Sequence, residues 1–276
     1  MTDAGRVVIV GCGHMGLAMV RGLLGARPGH DLVIVETSSH RRDTLSEHYS
    51  LSPASEFVIL EEDLIVLAIP PQVFGDFARE QRHKFGSGTA VLSVMAGLTC
   101  QSISQALGTS QVVRAIPNTP AEVFEGMSVY YADRAVSQET VSRADQLLKA
   151  IGNAIRVTRE DLVDDATAIC GGGPAFVSYL VDAFCQFAAS CGFAESAGRA
   201  MAVQVFSGTA ALIAESTKAP MQLCREVMTP NGTTERGIAA LDAAGAQTAI
   251  LAALAASARR SRELASAVAG ESRAEQ

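Results

Sequence analysis

Arg6-Val-Val-Ile-Val-Gly-Cys-Gly-His-Met-Gly16 decides the fold. Its first half, Arg6–Val10, is a short apolar run of β-branched residues and reads as a buried strand. Gly11, Gly13 and Gly16 follow at once, spaced Gly-x-Gly-x-x-Gly. Met15, Met19, Leu23 and Leu24 then recur at helical spacing, and Asp31-Leu-Val-Ile-Val-Glu36 supplies a second strand-like run. Strand, glycine loop, helix and strand within about thirty residues form the arrangement that binds a dinucleotide. In that arrangement Gly11 turns the chain, Gly13 lets a pyrophosphate approach the backbone, and Gly16 lets the helix pack on the sheet. Cys12 reads as a small residue tolerated in the turn.

Glu36 ends the second run, where an acidic side chain hydrogen-bonds a ribose 2′-hydroxyl and favours NAD. Thr37, Ser38, Ser39, Arg41 and Arg42 come directly after it. Hydroxyls and guanidinium groups there suit a 2′-phosphate instead. Both arginines also fit an ordinary solvated helix face, so these residues alone leave NAD and NADP open.

The rest of the first half keeps alternating. Leu64–Ile69, Thr89–Val94 and Gln111–Ile116 are continuous apolar runs, as in a sheet covered on both faces. Ser128–Ala132 and Ala154–Thr158 are candidates to extend it. From about Asp161 strand-like runs stop and alanine becomes abundant. Phe176, Tyr179, Leu180, Ala183, Phe184 and Phe187 recur at helical spacing. The expected fold is therefore α/β: a Rossmann-type doubly wound sheet over residues 1–160, then an all-helical domain over 161–276. The helical half is apolar around much of each helix, which demands cover on more than one side. A homodimer built through that half is the expectation. The polar tail Glu271–Gln276 is expected to fray.

Composition narrows the partners. The 276 residues are 48% hydrophobic with a formal net charge of −7 and no basic cluster, which argues against nucleic acid. No uninterrupted apolar stretch reaches membrane-spanning length, so no membrane partner is expected. The opening Met-Thr-Asp-Ala-Gly-Arg lacks the apolar core of a secretory leader, so the expected location is cytoplasmic. Six cysteines are scattered with no metal-ligand spacing, and no metal is expected; most read as small buried hydrophobes.

A second stretch carries chemistry: Val227-Met-Thr-Pro-Asn-Gly-Thr-Thr-Glu-Arg-Gly237. Pro230 cannot sit inside a helix, and Asn231 and Gly232 tolerate a turn. Thr233 and Thr234 then stand where a helix begins, with backbone N–H groups free to hold a small anion such as a carboxylate. An ordinary joint between two helices fits the same residues.

Taken together, Gly11–Gly16, Ala68-Ile-Pro-Pro-Gln72, Ser93-Val-Met-Ala-Gly97, Val113-Arg-Ala-Ile-Pro-Asn-Thr-Pro120, Glu125-Gly-Met127, Gly171-Gly-Gly-Pro-Ala-Phe176 and Thr229-Pro-Asn-Gly-Thr-Thr234 resemble the pyrroline-5-carboxylate reductase family from Val7 to about Leu264. The resemblance implies NAD(P)H-dependent reduction of a cyclic imine acid to L-proline. It also implies a helical dimerisation domain, with assembly up to a decamer. The resemblance places Gly11, Gly13, His14, Met15 and Gly16 at the cofactor phosphates. Glu36, Thr37, Ser38 and Arg41 fall at the adenosine ribose; Ala68, Ile69 and Pro70 along the cofactor cleft; Ala96 and Gly97 at the nicotinamide. It tips the cofactor towards NADPH over NADH. Asn118 and Thr119, at a strand end, are implied as substrate-binding, together with Gly232, Thr233 and Thr234. The Thr234 hydroxyl is the implied catalytic group, near the imine nitrogen.

All five histidines (14, 30, 40, 48 and 83) lie in the first half, away from the carboxylate socket, so no histidine acid is expected. The chain departs from the family pattern at His14, Glu36, Pro71, Gly172 and Asn231. Those departures keep a reductase of another cyclic imine acid, and a non-catalytic nucleotide-binding homologue, as alternatives. A β-hydroxyacid dehydrogenase would need a lysine acid/base from the helical half. Beyond residue 150 that half holds only Lys218, which reads as an exposed turn residue.

Overall fold

The computed structural model describes residues 5–26, 29, 31–49, 51–52 and 57–274. β1 (Val7–Val10) passes through the glycine loop into α1 (His14–Ala26), then β2 (Leu32–Val35), α2 (Ser39–Ser46), β3 (Leu51–Ser52) and β4 (Leu64–Leu67). α3 (Phe74–Gln81), β5 (Ala90–Ser93), α4 (Cys100–Leu107) and β6 (Val112–Ile116) continue the alternation. β7 (Gly126–Ala132), α5 (Gln138–Ala150) and β8 (Gly152–Arg156) complete it. Both candidate extensions of the sheet are thus strands.

The strands lie in the order β3-β2-β1-β4-β5-β6-β7-β8. Val8 stands level with Val33 on one side and Ile65 on the other, in parallel register. The ladder stays parallel except between β6 and β7. The chain leaves β1 outward to β2 and β3, then returns to place β4 on the other side of β1. That reversal is the switch point at which such sheets bind ligands.

Alternation along each strand builds two cores. Val7, Ile9, Leu64, Val66 and Leu92 face one way, against Met19 and Leu23 of α1 and Leu147 and Leu148 of α5. Val8, Val10, Ile65, Leu67 and Val91 face the other, against Phe74 and Ala78 of α3 and Ile103 and Leu107 of α4. A strand buried on both faces has no polar side, which is why these runs are continuously apolar. Each such side chain, fully buried, stabilises the fold by about 1.5–3 kcal/mol.

Helices take over from residue 161: α6 (Asp161–Ala166), a π-helical turn Thr167–Gly171, α7 (Gly173–Ser190), α8 (Glu195–Glu215), α9 (Pro220–Val227), α10 (Thr233–Ala243) and α11 (Ala246–Ala274). Prolines sit where they cost no helical hydrogen bond: Pro174 in the first turn of α7, Pro220 opening α9, and Pro230 between α9 and α10. Of the tail expected to fray, Glu271–Ala274 is helical and Glu275 and Gln276 lie outside the described residues.

The chain forms two compact units, Met1–Gly173 with Ala256–Gln276, and Pro174–Ala255. This division falls later than residue 160. α6 belongs with the sheet because Val163 and Ala166 pack with Ile116 of β6 and Val129 of β7. The end of α11 belongs there because Ser261 hydrogen-bonds Asp164 at 3.3 Å. Within the second unit, Phe184 of α7 meets Phe206 of α8 edge to face at 5.2 Å. Gly198 lets α8 approach Ala188 closely.

Two sequence expectations are corrected. Asp161–Ser190 and Glu195–Glu215 are long and apolar enough to cross a membrane, by length and composition. The glycines and proline of Gly171–Pro174 punctuate the first of these in sequence, yet only Gly172 stands outside helix, between the π-turn that ends at Gly171 and α7 that begins at Gly173. The cysteines are also less buried than expected. Cys12 and Cys100 are buried, Cys170, Cys185 and Cys224 half-buried, and Cys191 exposed.

Candidate functional site

A cleft of about 650 Å³ opens at the switch point, beyond the C-terminal ends of β1, β2, β4 and β5. Its wall includes Gly11, Gly13, His14 and Met15 from the glycine loop, and Glu36, Thr37 and Arg41 after β2. Ala68, Ile69 and Pro70 after β4, and Ala96 after β5, lie on the same wall. Eleven residues expected at a cofactor therefore share one cleft. Among the remaining expected residues, Gly16 packs behind the loop and Ser38 caps α2, its Oγ facing the Arg41 amide at 3.5 Å. Gly97 turns the chain after β5 with φ +77°.

The glycine loop fits a dinucleotide on its own geometry. Gly11 has φ +89°, and a Cβ there would lie 2.7 Å from Ile69 Cγ2. A Cβ at Gly16 would lie 2.1 Å from the Gly11 carbonyl oxygen, so α1 could not begin where it does. A Cβ at Gly13 would meet nothing within 4 Å, which leaves the backbone open to a phosphate at the start of α1. Gln81 Oε1 lies buried at the cleft wall with no hydrogen-bond partner among the described residues.

Glu36 is buried and heavily bonded. Its carboxylate accepts from the Cys12 amide at 3.0 Å and the Ser38 amide at 2.8 Å, and pairs with Arg41 at 3.2 Å. It holds the loop after β1 against the loop after β2. Burial, and then the nearby Glu36 charge, pushes the Cys12 thiol up to about 11. Cys12 is thus a neutral thiol at physiological pH.

Asn118 ends β6 and is also bonded internally. Its Oδ1 accepts from the Met127 amide at 2.8 Å and its Nδ2 donates to the Cys170 carbonyl at 3.2 Å. The side chain ties β6 to β7 and to the π-turn. Thr119 is exposed at the start of a 3-10 turn. Sequence reasoning missed Phe57, Asp76, Phe77, Glu80 and Gln81, all on the cleft wall. Asp76 and Glu80 lie four apart on α3, right after Pro70-Pro71, and that spacing is the signal that marks them as one face. No local pattern marks Phe57, whose ring lies 4.8 Å beneath Lys84 Nζ.

The second expected stretch belongs to the other unit. α10 begins at Thr233 with Gly232 as its N-cap, and no side chain caps it. The amides of Thr233 and Thr234 lie in the first turn, where no helical carbonyl precedes them. Asn231 has φ +59°, a left-handed conformation that asparagine adopts more readily than most residues. Its amide donates to Glu235 Oε2 at 2.6 Å. Gly232 donates to the Thr229 carbonyl at 2.8 Å, and a Cβ at 232 would lie 2.2 Å from Thr229 Oγ1. The loop is closed so tightly that only glycine fits. Lys218 is half-exposed and pairs with Glu226 at 2.8 Å, as a surface turn residue. Of the histidines, His14 lines the cleft and His30 lies outside the described residues.

A doubly wound sheet with this glycine loop at its switch point defines a Rossmann-type dinucleotide-binding oxidoreductase. Residues 6–97 match the family model described as NADP oxidoreductase, coenzyme F420-dependent, and residues 160–264 match that of pyrroline-5-carboxylate reductase dimerisation. Pyrroline-5-carboxylate reductase of Synechocystis is 32% identical over 260 residues, covering 93% of this chain and 97% of that one. The solved pyrroline carboxylate reductase of Plasmodium falciparum, with NADP bound, superposes with a TM-score of 0.84 at 22% identity, covering 96% of this chain and all of the other. That of Coxiella burnetii gives 0.81 at 26% identity, covering 95% and 98%. The chain belongs to the pyrroline-5-carboxylate reductase family.

Proposed function

We propose that this chain reduces 1-pyrroline-5-carboxylate to L-proline with NADPH or NADH, the last step of proline biosynthesis. One observation carries the reading: a single chain holds both a glycine-loop cleft built for a dinucleotide and, at Gly232–Thr234, an uncapped helix start closed around a glycine. In the bound state the dihydronicotinamide supplies a hydride to the imine carbon, and one proton on nitrogen completes the amine. The protein's part is to hold and align. Gly11, Gly13, His14, Met15 and Gly16 serve the pyrophosphate; Glu36, Thr37, Ser38 and Arg41 the ribose; Ala68, Ile69, Pro70, Ala96 and Gly97 the nicotinamide side.

The amides of Thr233 and Thr234 serve the substrate carboxylate, each charge-assisted hydrogen bond contributing about 1.5–3 kcal/mol, while the Gly232 amide, already bonded to the Thr229 carbonyl, closes the loop instead of binding as the sequence suggested. The Thr234 hydroxyl keeps the proton at the ring nitrogen. A protonated imine is already electrophilic, so no strong acid is required of the protein. Asn118 serves by fixing the β6 end, and Thr119 beside it is free to meet substrate. The second unit joins two copies as a homodimer, with a decamer as the larger assembly. A cytoplasmic location fits six free thiols, which persist in a reducing compartment.

Asn231 favours a second reading. Its side chain stands on the carboxylate loop where the family pattern has glycine. A different cyclic imine acid would then be the substrate. The test is a steady-state assay of pyrroline-5-carboxylate with each reduced dinucleotide, beside six-membered and substituted imine acids. Proline formation with the five-membered ring preferred supports the first reading. Preference for another ring selects the second, and no turnover with any imine acid leaves a non-catalytic nucleotide-binding homologue.

A further inference from the structure

Glu36 is 3% exposed, yet four donors converge on its carboxylate. Oε2 accepts from the Cys12 amide at 3.0 Å and from Arg41 Nε at 3.2 Å. Oε1 accepts from the Ser38 amide at 2.8 Å, with the Arg41 terminal nitrogen 3.5 Å away. A carboxylate offers two acceptor oxygens and no donor, so an amide here would set N–H against N–H. The charge at position 36 is therefore built into the join between two cleft loops.

Arg41 differs in kind. Its side chain is 53% exposed and lines the cleft, and it is the one arginine or lysine among the described lining residues. Glu36, Asp76 and Glu80 line the same cleft as Arg41, and Asp76 pairs with Arg79 of its own helix. Arg41 is already paired with the buried Glu36. A ribose bearing only hydroxyls adds no charge to this wall. A 2′-phosphate adds nearly two negative charges, and it must share Arg41 with the Glu36 carboxylate.

We propose that this wall selects NADH over NADPH. Glu36 is the specificity-determining residue, and Arg41 is the group through which any use of NADPH passes. The proposal rests on the cofactor reading above and narrows it to the dinucleotide without a 2′-phosphate. It does not depend on which imine is reduced.

Direct titration of the intact protein with NADH and with NADPH, by calorimetry and without imine substrate, tests it. The expected wild-type result is NADH bound at least tenfold more tightly. Arg41→Ala should weaken NADPH at least fivefold more than it weakens NADH. Glu36→Gln should narrow the NADH preference at least fivefold. Because that substitution disturbs a buried join, Asp76→Asn with Glu80→Gln on α3 provides a second arm and should narrow the preference several-fold. NADPH bound as tightly as NADH by the wild type, or equal losses for both on Arg41→Ala, overturns the inference and leaves the cofactor reading standing. Binding of neither dinucleotide overturns both. Dinucleotide binding in the expected ratio without turnover of pyrroline-5-carboxylate supports the inference and counts against the substrate reading alone.

Discussion

In the proposed reaction Thr234 offers two different groups: a backbone amide in the first turn of α10 and a side-chain hydroxyl. Thr234→Ala keeps the amide and removes the hydroxyl, so it separates the two roles. Losing one hydrogen bond to a charged group costs about 1.5–3 kcal/mol, or about 10- to 100-fold in turnover. Steady-state kinetics should show that fall, with Thr234→Ser restoring most of it and dinucleotide affinity unmoved. Turnover at the wild-type level in a folded alanine variant would remove the hydroxyl from the chemistry. Cys12 makes a prediction in the opposite direction, away from chemistry. Its thiol is raised from 9.0 to about 11 by burial first and by Glu36 second. Between those values the unfolded chain loses the proton and the folded chain keeps it. The stabilising contribution of the neutral thiol is therefore complete below pH 9 and is lost as pH rises to about 11. Thermal melting from pH 8 to 11 should fall more steeply for the wild type than for Cys12→Ala. Parallel curves would mean that the thiol ionises freely.

At the scale of elements, the unusual feature is an arginine in the middle of β6. Arg114 is 1% exposed, between Val113 and Ala115 in a strand that otherwise reads as pure core. It survives there because α6 brings Asp164 to 2.5 Å and Glu160 stands at 3.5 Å. Glu160 in turn accepts from the Cys100 amide at the start of α4, and Asp164 takes the Ser261 hydroxyl from α11. One buried charge thus fastens three helices to the sheet. Asp164→Ala leaves the guanidinium buried beside a single, more distant carboxylate. It should destabilise the first unit by about 3–5 kcal/mol, read as a lower urea midpoint. Adding Arg114→Met should recover a substantial part of that loss, whereas no recovery would show that Asp164 matters through packing alone. The same network explains what the sequence could and could not reveal. The strands and the glycine loop were legible because burial on both faces leaves only apolar residues, and because the Gly-x-Gly-x-x-Gly spacing is local, although Gly11 itself is forced by Ala68 and Ile69 after β4. The attachment of α6 to the sheet was not legible. It depends on Asp164 and Ser261, which stand 50 and 97 residues from their partners. Glu36 was legible as a site residue, but its bonds to Cys12 and Ser38 depend on loop geometry that no spacing records.

For the whole molecule, the unresolved balance is apolar surface. In Pro174–Ala255 the helices are apolar without being covered: Tyr179 is 78% exposed and Phe187 72%, with Phe193 and Leu212 also open. Surface of that kind on one body calls for a partner. Two occupants fit long apolar helices on composition alone, a second copy of the chain or a lipid bilayer. The match of residues 160–264 to the family's dimerisation region favours the second copy. Phe187→Asp discriminates between the two, because it places a charge on the open face of α7 while leaving the cofactor cleft of the other unit intact. Sedimentation of the wild type should give a dimer or a multiple of it in buffer without detergent, and the variant should shift towards monomer. Dinucleotide affinity should be retained in that monomer, since the cleft lies within the first unit, while turnover falls with the loss of the assembly. Recovery of the wild type only from the membrane fraction, or an unchanged assembly in both Phe187→Asp and Tyr179→Asp, would overturn dimerisation through this face.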